Sequence, residues 1–374
     1  MADDEKLQKR ILVTGATGFI GSKLVHRLHE LGYQIRTFGR SNGLASQFAG
    51  LNIEHYGGDI TNPEQVSSAV QNCDVIFHLA GLVSYKKRDI QRQFGVNVLG
   101  TRNVLEAAQK NNVKRIIHTS SVAAIGIPPA GQIGTEELEY NLLGKGLNYC
   151  DSKYEAELQV RHFYQEGVPV LMLNPGIIFG EGDTHPHHHA IFESMSKGNL
   201  FGVPPGGIPF SDINDVVDAH INAMTKGRLG ERYVLVSANL SFRDAALVFC
   251  KQMGTKPPAF EFPGPLLVAA GSFCENVLPN LPKWKLGSLV ISKPINAPLT
   301  RQQTWLSQYK IFFSSQKAID ELDFHQTSFD ETVRRTAPYY LGVQRSKLNS
   351  KAAGLNNEQS PSASDSDLKG HIGG

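Results

Sequence analysis

The sequence predicts an α/β fold, a doubly wound parallel sheet, and three observations carry that expectation. The first is the apolar run Ile11-Leu12-Val13 passing directly into Thr14-Gly15-Ala16-Thr17-Gly18-Phe19-Ile20-Gly21, a buried strand turning into a helix. The second is the recurrence of short apolar runs separated by segments with helical spacing. The third is that these runs end in small or hydroxyl residues, where open α/β sheets bind their ligands. At 374 residues the chain exceeds one such sheet and has room for an appended lobe.

Glycines at the spacing Gly15-x-x-Gly18-x-x-Gly21 let the backbone turn tightly and approach a ligand. They leave a helix N-terminus open, where unpaired N–H groups and the helix dipole attract a pyrophosphate. The spacing also suits a plain strand-to-helix turn, so context decides. That context follows: Leu24, Val25, Leu28 and Leu31 recur at helical spacing, Gly32 supplies a stop, and Gln34 to Phe38 reads as a second strand. A dinucleotide unit that takes NAD places a carboxylate at the end of this strand, and one that takes NADP places a cation there. This chain has Gly39 and then Arg40. A guanidinium grips a 2′-phosphate that a carboxylate would repel, so the cofactor expected is NADP(H), with NAD(H) as the alternative. An ordinary surface arginine is the competing reading of Arg40.

Leu51 to Tyr56 reads as a third strand leading into Gly58-Asp59-Ile60. Asp59 is placed to accept from an adenine amine with Ile60 against the ring, or else to cap the helix that starts near Pro63. Val75 to Gly81 reads as a fourth buried strand whose end, Leu79-Ala80-Gly81, passes near the cofactor; His78 inside it is expected to be a satisfied core residue. A helix is expected from about Gln91 to Gln109, with Asn97 as a polar support for a buried site. Arg115 to Ser121 reads as a fifth strand ending in Thr119-Ser120-Ser121. The Gly- and Pro-containing stretch from Ala123 to Asn148 reads as a long loop, which at this length is usually functional.

Tyr149-Cys150-Asp151-Ser152-Lys153 follows. On a helix, residues four apart share a face with Cβ atoms about 5–6 Å apart. A free phenol titrates near 10, but an adjacent ammonium and the charge of an oxidised nicotinamide lower that value. The tyrosine then exchanges a proton with a hydroxyl or carbonyl as hydride moves, with a serine hydroxyl from the fifth strand holding the same oxygen. A Tyr-x-x-x-Lys pattern alone is common; its weight here comes from lying downstream of a complete dinucleotide unit.

Together the glycine motif, Gly58-Asp59-Ile60, His78-Leu79-Ala80-Gly81, Asn97-Val98-Leu99-Gly100-Thr101, Thr119-Ser120-Ser121, Tyr149-x-x-x-Lys153 and Asn174-Pro175-Gly176 resemble the extended short-chain dehydrogenase/reductase superfamily, also called the NAD-dependent epimerase/dehydratase superfamily. The resemblance covers roughly Arg10 to Tyr340. It implies a Rossmann-type sheet domain with a smaller C-terminal substrate lobe. It implies Tyr149 as acid/base, Lys153 as the group that holds the nicotinamide ribose and lowers the tyrosine pKa, Ser121 as donor to the substrate oxygen and Asn97 as support for the lysine. The cofactor would contact Gly15, Thr17, Gly18, Phe19, Ile20, Gly21, Arg40, Asp59, Ile60, Leu79, Ala80, Gly81, Tyr149 and Lys153, with Pro175, Gly176 and Ile178 lining the nicotinamide site. A homodimer is the family expectation.

Two departures point to a branch. Many sugar-nucleotide members have Arg where this chain has Asn174. They also tend to carry an Arg just before the segment matching Phe210-Ser211-Asp212-Ile213-Asn214-Asp215-Val216, where this chain has Gly207-Ile208-Pro209. The pattern is closest to the dihydroflavonol-reductase and 3β-hydroxysteroid-dehydrogenase branch, whose substrates are apolar ketones or secondary alcohols. The expected activity is NADP(H)-dependent interconversion of a ketone and a secondary alcohol on a largely apolar small molecule. The alternative is a sugar or sugar-nucleotide epimerase or dehydratase with transient cofactor reduction.

Val170 to Leu173 reads as a sixth strand, Tyr233 to Val236 as a further one, with helices around Val216 to His220 and from near Ser241. The expected organisation is an extension at 1–9, a cofactor domain at 10–180 with segments near 210–240 returning to it, a substrate lobe at 181–343 and a disordered, polar tail at 344–374. His185-Pro186-His187-His188-His189 lacks a carboxylate or Cys in a ligand pattern, so no metal is expected. The apolar, Pro-containing stretch 259–292, with Trp284 between Lys283 and Lys285, has three readings: a lid over an apolar substrate, a weak membrane anchor, or ordinary lobe packing, the default for apolar helical runs.

Composition sets the outer bounds. The chain is 41% hydrophobic and 19% charged with a formal net charge of +2, so no charge excess marks a nucleic-acid partner. Cys73, Cys150, Cys250 and Cys274 lack metal-like spacing and are expected as reduced thiols. The charged start Met1 to Arg10 has no apolar signal core, and the expected compartment is the cytoplasm.

Overall fold

The computed structural model describes residues 9–183, 198, 200–277 and 300–339. Residues 1–8, the His185–His189 cluster, residues 278–292 of the apolar stretch and the 344–374 tail lie outside the described residues.

Seven strands form one sheet in the order β3-β2-β1-β4-β5-β6-β10, every neighbouring pair parallel. They are β1 (Arg10–Thr14), β2 (Gln34–Gly39), β3 (Ile53–Gly57), β4 (Val75–His78), β5 (Arg115–Thr119), β6 (Val170–Pro175) and β10 (Arg232–Leu235). Side chains alternate between faces along a strand, and both faces here are covered, so the strands read as nearly continuous apolar runs. Ile11, Val13, Phe77, Ile117, Leu171 and Leu173 meet Leu24, Val25 and Leu28 of α1 (Phe19–Glu30) in one core. The intervening Leu12, Ile76, Ile116, Val170 and Met172 meet α2 (Pro63–Val70), α4 (Gly100–Lys110) and α5 (Asn148–Gln165) in the other. That division of helices between two faces is the doubly wound arrangement. The strand order reverses between β1 and β4, and the ligand crevice of such a sheet lies at that point.

Three expected elements differ from what is observed. The fourth strand ends at His78, because Leu79 turns away after its N–H bonds to Thr14 O at 3.2 Å. The expected helix from Gln91 is α3 (Ile90–Phe94), a π-helical segment Gly95–Leu99, and α4. The N-cap before Pro63 is Asn62, accepting from the N–H groups of Glu64 and Gln65. Asp59 instead closes a turn on Thr61, accepting from its N–H at 2.9 Å and its hydroxyl at 2.7 Å.

Beyond β6 the chain builds β7 (Ile177–Phe179), β8 (Gly202–Val203), β9 (Gly207–Asp212), α6 (Ile213–Asn222), β11 (Ala238–Ser241), α7 (Phe242–Met253), β12 (Phe260–Glu261) and α8 (Gly264–Asn276). It continues with α9 (Arg301–Leu306), α10 (Gln316–Leu322) and a helix over residues 329–339. β11-β9-β7 and β12-β8 form two small sheets. The lobe's own core is aromatic: the Phe329 ring lies 4.4 Å from that of Phe210 and 5.3 Å from that of Phe249, with Phe179 alongside. α10 leaves the lobe again, since Ala318 and Leu322 belong to the main sheet's core. The four cysteines are free thiols.

Candidate active site

Two groups of residues meet at the C-terminal edge of the sheet. The first surrounds the β1–α1 turn. Gly15 has φ +68°, and a Cβ there would lie 2.7 Å from Leu79 C and from Ala80 N. A Cβ on Gly21 would lie 2.3 Å from Gly15 O. The turn is therefore closed to side chains on geometric grounds. Gly18 caps α1 with no side-chain hydrogen bond, and the first turn holds no acidic residue. The leading N–H groups of α1 are left to an anion, so these residues fit the pyrophosphate of a dinucleotide. Thr17 is exposed at the end of this turn, and Phe19 and Ile20 begin the helix.

A buried relay supports the turn from below. Ala80 N–H donates to Thr14 Oγ1 (3.2 Å), which lies 2.8 Å from His78 Nδ1. His78 Nε2 lies 3.0 Å from Thr101 Oγ1, and Thr101 donates to Asn97 O at 2.6 Å. Thr101 uses its proton on Asn97, so the chain of donors places the His78 proton on Nε2. Burial holds the ring neutral, with its pKa lowered to about 3. His78 is a satisfied core residue that ties the glycine turn to the helix carrying Asn97.

On the adenosine side, Arg40 is exposed at the end of β2. Asp59 is held below the usual carboxylate range by its bonds to Thr61, aided by the charges of Arg40 and Arg92. Ile60 is buried against Gly100, where a Cβ would meet it at 2.9 Å. Arg40 and Asp59 thus sit within electrostatic reach of each other, as one adenosine pocket would require.

The second group holds the candidate catalytic residues. Tyr149 and Lys153 lie in the first two turns of α5, and Ser121 follows β5 as the cap of a short helical turn, accepting from Ala123 N at 3.2 Å. The Ser121 hydroxyl lies close enough to the Tyr149 phenol to influence its titration. Lys153 is buried; its Nζ donates to Thr119 O at 2.9 Å, and burial lowers its pKa to about 8 while Glu157 opposes that shift. The expected lowering of Tyr149 by Lys153 is not what the structure has. Burial raises the phenol to about 12, the nearby Ser121 hydroxyl acts in the other direction, and Lys153 is not among the influences on it.

Asn97 sits in the π-helical segment, a distortion frequent at functional sites. Its Oδ1 accepts from Leu82 N (2.7 Å), and its Nδ2 donates to Leu82 O (3.1 Å) and to Ser152 Oγ (2.9 Å). It therefore clamps the segment after β4 to the helix of Tyr149. A Cβ on Gly81 would stand 3.5 Å from Asn97 Oδ1 and 3.9 Å from Lys153 Nζ, so Gly81, Asn97 and Lys153 converge. Pro175 is buried at the end of β6, and Gly176 N–H donates to Ser211 Oγ at 2.9 Å. A Cβ on Gly176 would lie 2.4 Å from Pro209 O. Ile178 is half-buried next to them in β7.

Three further residues, Glu157, Arg232 and Tyr85, escaped sequence reasoning. Glu157 is buried and accepts from Ser120 Oγ at 2.6 Å and from Asn174 Nδ2 at 2.5 Å, and Arg232 Nη1 lies 3.3 Å from its other oxygen. Asn174 also donates to Ser121 O at 2.9 Å, so this buried ion pair holds the backbone of the serine loop. Glu157 stands four residues beyond Lys153, a helical spacing that could have flagged it; the Arg232 contact is long-range and leaves no such mark. Tyr85 packs edge-on against Tyr149, ring centroids 5.9 Å apart. Nothing in the local sequence announces that contact. The segment around Asp212 and Asp215 is a latch: Asp212 caps α6 and binds Thr332 and Arg335, and Asp215 binds Thr327.

A dinucleotide cradle at the sheet's switch point, opposite a serine, a tyrosine and a buried lysine, defines an NAD(P)-dependent dehydrogenase/reductase of the extended short-chain type. Residues 11–235 match the NAD dependent epimerase/dehydratase family, to which this chain belongs. It is 29% identical over 86% of its length to a Synechocystis protein provisionally named dihydroflavonol 4-reductase, covering 91% of that protein. It is 28% identical to a 3-beta-hydroxysteroid dehydrogenase of Mycolicibacterium neoaurum, covering 89% of this chain and 92% of the relative. Among solved structures, gox2253 superposes with a TM-score of 0.75 at 28% identity, covering 90% of this chain and 99% of the other. The protein is an NAD(P)-dependent oxidoreductase of this superfamily.

Proposed function

We propose that this chain interconverts a ketone and a secondary alcohol on a largely apolar small molecule, using NADP(H), with Tyr149 as acid/base. The observation that carries the apolar-substrate reading is Asn174. It is fully buried, with its Nδ2 donating to Glu157 and to Ser121 O and its Oδ1 without a partner among the described residues, at the position where many sugar-nucleotide members present a cation. The names of the relatives, reductases and dehydrogenases, support an oxidoreductase over an epimerase. The exposed Arg40 at the end of β2 supports the 2′-phosphate.

In this reading Ser121 and Tyr149 hold the substrate oxygen between their hydroxyls. When bound, the nicotinamide supplies hydride to the carbonyl carbon or accepts it from the carbinol. In reduction Tyr149 gives its proton to the carbonyl oxygen as the alcohol forms, and the phenolate recovers one from solvent. Lys153, held on Thr119 O, places positive charge under the site and stays protonated below about pH 8. Asn97 fixes the segment after β4 that closes the pocket. Tyr85 forms an apolar wall beside the phenol. The enzyme works in the cytoplasm as a homodimer.

The test is a substrate panel read as NADPH oxidation. Net consumption with apolar ketones is expected, and little with sugar nucleotides. Turnover of a sugar nucleotide without net cofactor change would replace this reading with an epimerase.

A further inference from the structure

Helix α8 is packed the wrong way round for a core helix. Its buried residues are Gly264 and Gly271. A Cβ on Gly271 would lie 2.4 Å from Thr304 Oγ1 of α9, and one on Gly264 would lie 2.4 Å from Gln308 Oε1. The large apolar residues point outward: Leu266 is 64% exposed and Phe273 49%. Leu266, Ala270, Phe273 and Val277 recur at spacings that share one helical face, and all four are exposed. The default expectation of ordinary lobe packing therefore fails for this helix, which buries its small side against α9 and presents its apolar side to the surroundings.

The apolar surface continues past the start of the helix. Phe260 pairs with Gly202 in the short β12-β8 sheet, Ala259 N–H bonds to Phe201 O, and Phe201 is 76% exposed and Phe260 47%. Exposed apolar residues gathered in this way mark an interaction surface. Charge identifies the partner. From Gly264 to Cys274 the helix carries no ionisable side chain other than that cysteine. At its far end Lys87 Nζ donates to Asn276 Oδ1 at 3.1 Å and lies 3.6 Å from Glu275, and Lys86, Lys87 and Arg88 are all exposed. An apolar stripe about 20 Å long that ends in the exposed Lys86 and Arg88, beyond the Lys87–Glu275 ion pair, matches a surface with an apolar interior and an anionic rim. No described helix is long and apolar enough to cross a membrane, so the match is to binding in the interface.

We infer that α8, Phe201 and Phe260, with Lys86, Lys87 and Arg88, form a docking surface for an anionic lipid bilayer. The placement has a consequence for the reaction. The cations belong to the same segment as Tyr85, whose ring touches Tyr149. The docked face thus adjoins the mouth of the site, where an apolar substrate dissolved in the bilayer would enter. This delivery role rests on the apolar-ketone reading; the docking itself does not.

Flotation of the full chain with vesicles tests it. Vesicles of equal parts phosphatidylglycerol and phosphatidylcholine should carry the protein upward, phosphatidylcholine alone should do so weakly, and salt should release it, since each cation near an anionic surface contributes about fivefold in affinity. Leu266→Asp combined with Phe273→Asp should lower vesicle binding at least tenfold while turnover of a water-soluble ketone and thermal unfolding stay unchanged. Lys86→Glu combined with Arg88→Glu should remove the preference for anionic vesicles. Equal binding by the aspartate variant, or a wild-type chain that never floats, would overturn the proposal. So would a wild-type dimer that the aspartate variant turns into monomer, which would make the surface a contact between copies. Vesicle binding with no ketone reduced from any panel would leave the docking standing and remove the substrate reading.

Discussion

At the edge of the seven-stranded sheet, polar side chains are buried and most are paired: His78 to Thr14 and Thr101, Glu157 to Arg232, Ser120 and Asn174, Lys153 to Thr119 O, while the His118 ring and Asn174 Oδ1 have no partner among the described residues. In the C-terminal lobe the reverse holds at α8, where large apolar side chains are exposed and glycines are buried. Between these extremes lies the lobe's small aromatic core around Phe329. The contrast teaches a division of labour. Chemistry with a charged intermediate needs dipoles fixed before the reaction begins, and buried paired networks supply them. Recognition of apolar matter needs apolar surface left uncovered, which costs the free protein burial it could otherwise have had.

Four measurements sharpen or break this contrast. Tyr149→Phe removes the proton donor but keeps the ring against Tyr85, so kcat should fall by about 10²–10⁴ while cofactor binding followed by fluorescence is retained. A modest loss would mean the sheet edge is only a binding site. Phe329→Ala empties the centre of the aromatic core and should cost about 3–5 kcal/mol. The lobe should loosen first, seen as a raised KM with cofactor affinity unchanged; loss of both together would show that the two regions fold as one.

The third measurement uses acid. Burial depresses His78 to about 3 and His220 to about 4, and His118 lies well below its usual range through burial and the nearby Lys153. In the unfolded chain each titrates near 6.5, so below that pH the unfolded state binds more protons. Stability is therefore full above about pH 6.5 and is lost as pH falls toward the folded values. Each histidine contributes a slope of about 1.4 kcal/mol per pH unit in that window, or about 4 for all three together. Denaturant unfolding at successive pH values below 6.5 should show it, and a flat profile would refute neutral burial. The smallest effect is Arg40→Ala. Loss of charge-assisted bonds worth about 1.5–3 kcal/mol should weaken NADP roughly ten- to hundredfold and NAD hardly at all; equal weakening would remove the reason to prefer NADP.

How much of this was legible in advance depended on how local the cause was. Gly15 is a good example: the strand, the turn and the helix that need it lie within a dozen residues, and the steric reason can be stated before any coordinates. Tyr149 and Lys153 were legible because helical spacing puts them on one face. Glu157 lies one turn further on and carried the same signal, but a carboxylate on a helix usually faces water, and only the arrival of Arg232 from β10 makes it buried. The π-helical segment around Asn97 left no mark in the sequence, because the Asn97 contacts it carries, to Leu82 after β4 and to Ser152 of α5, are long-range.

By itself the sequence determined the parallel sheet, the glycine turn and the shared face of Tyr149 and Lys153, since each follows from backbone sterics or from spacing along one element. The tertiary structure alone decided three things. It set the direction of the Tyr149 pKa shift, because burial depends on what packs around α5. It gave Asn174 its place in a buried network, because Glu157 and Arg232 come from distant elements. It turned α8 outward, because hydrophobic periodicity shows that a helix has an apolar face without showing what that face meets.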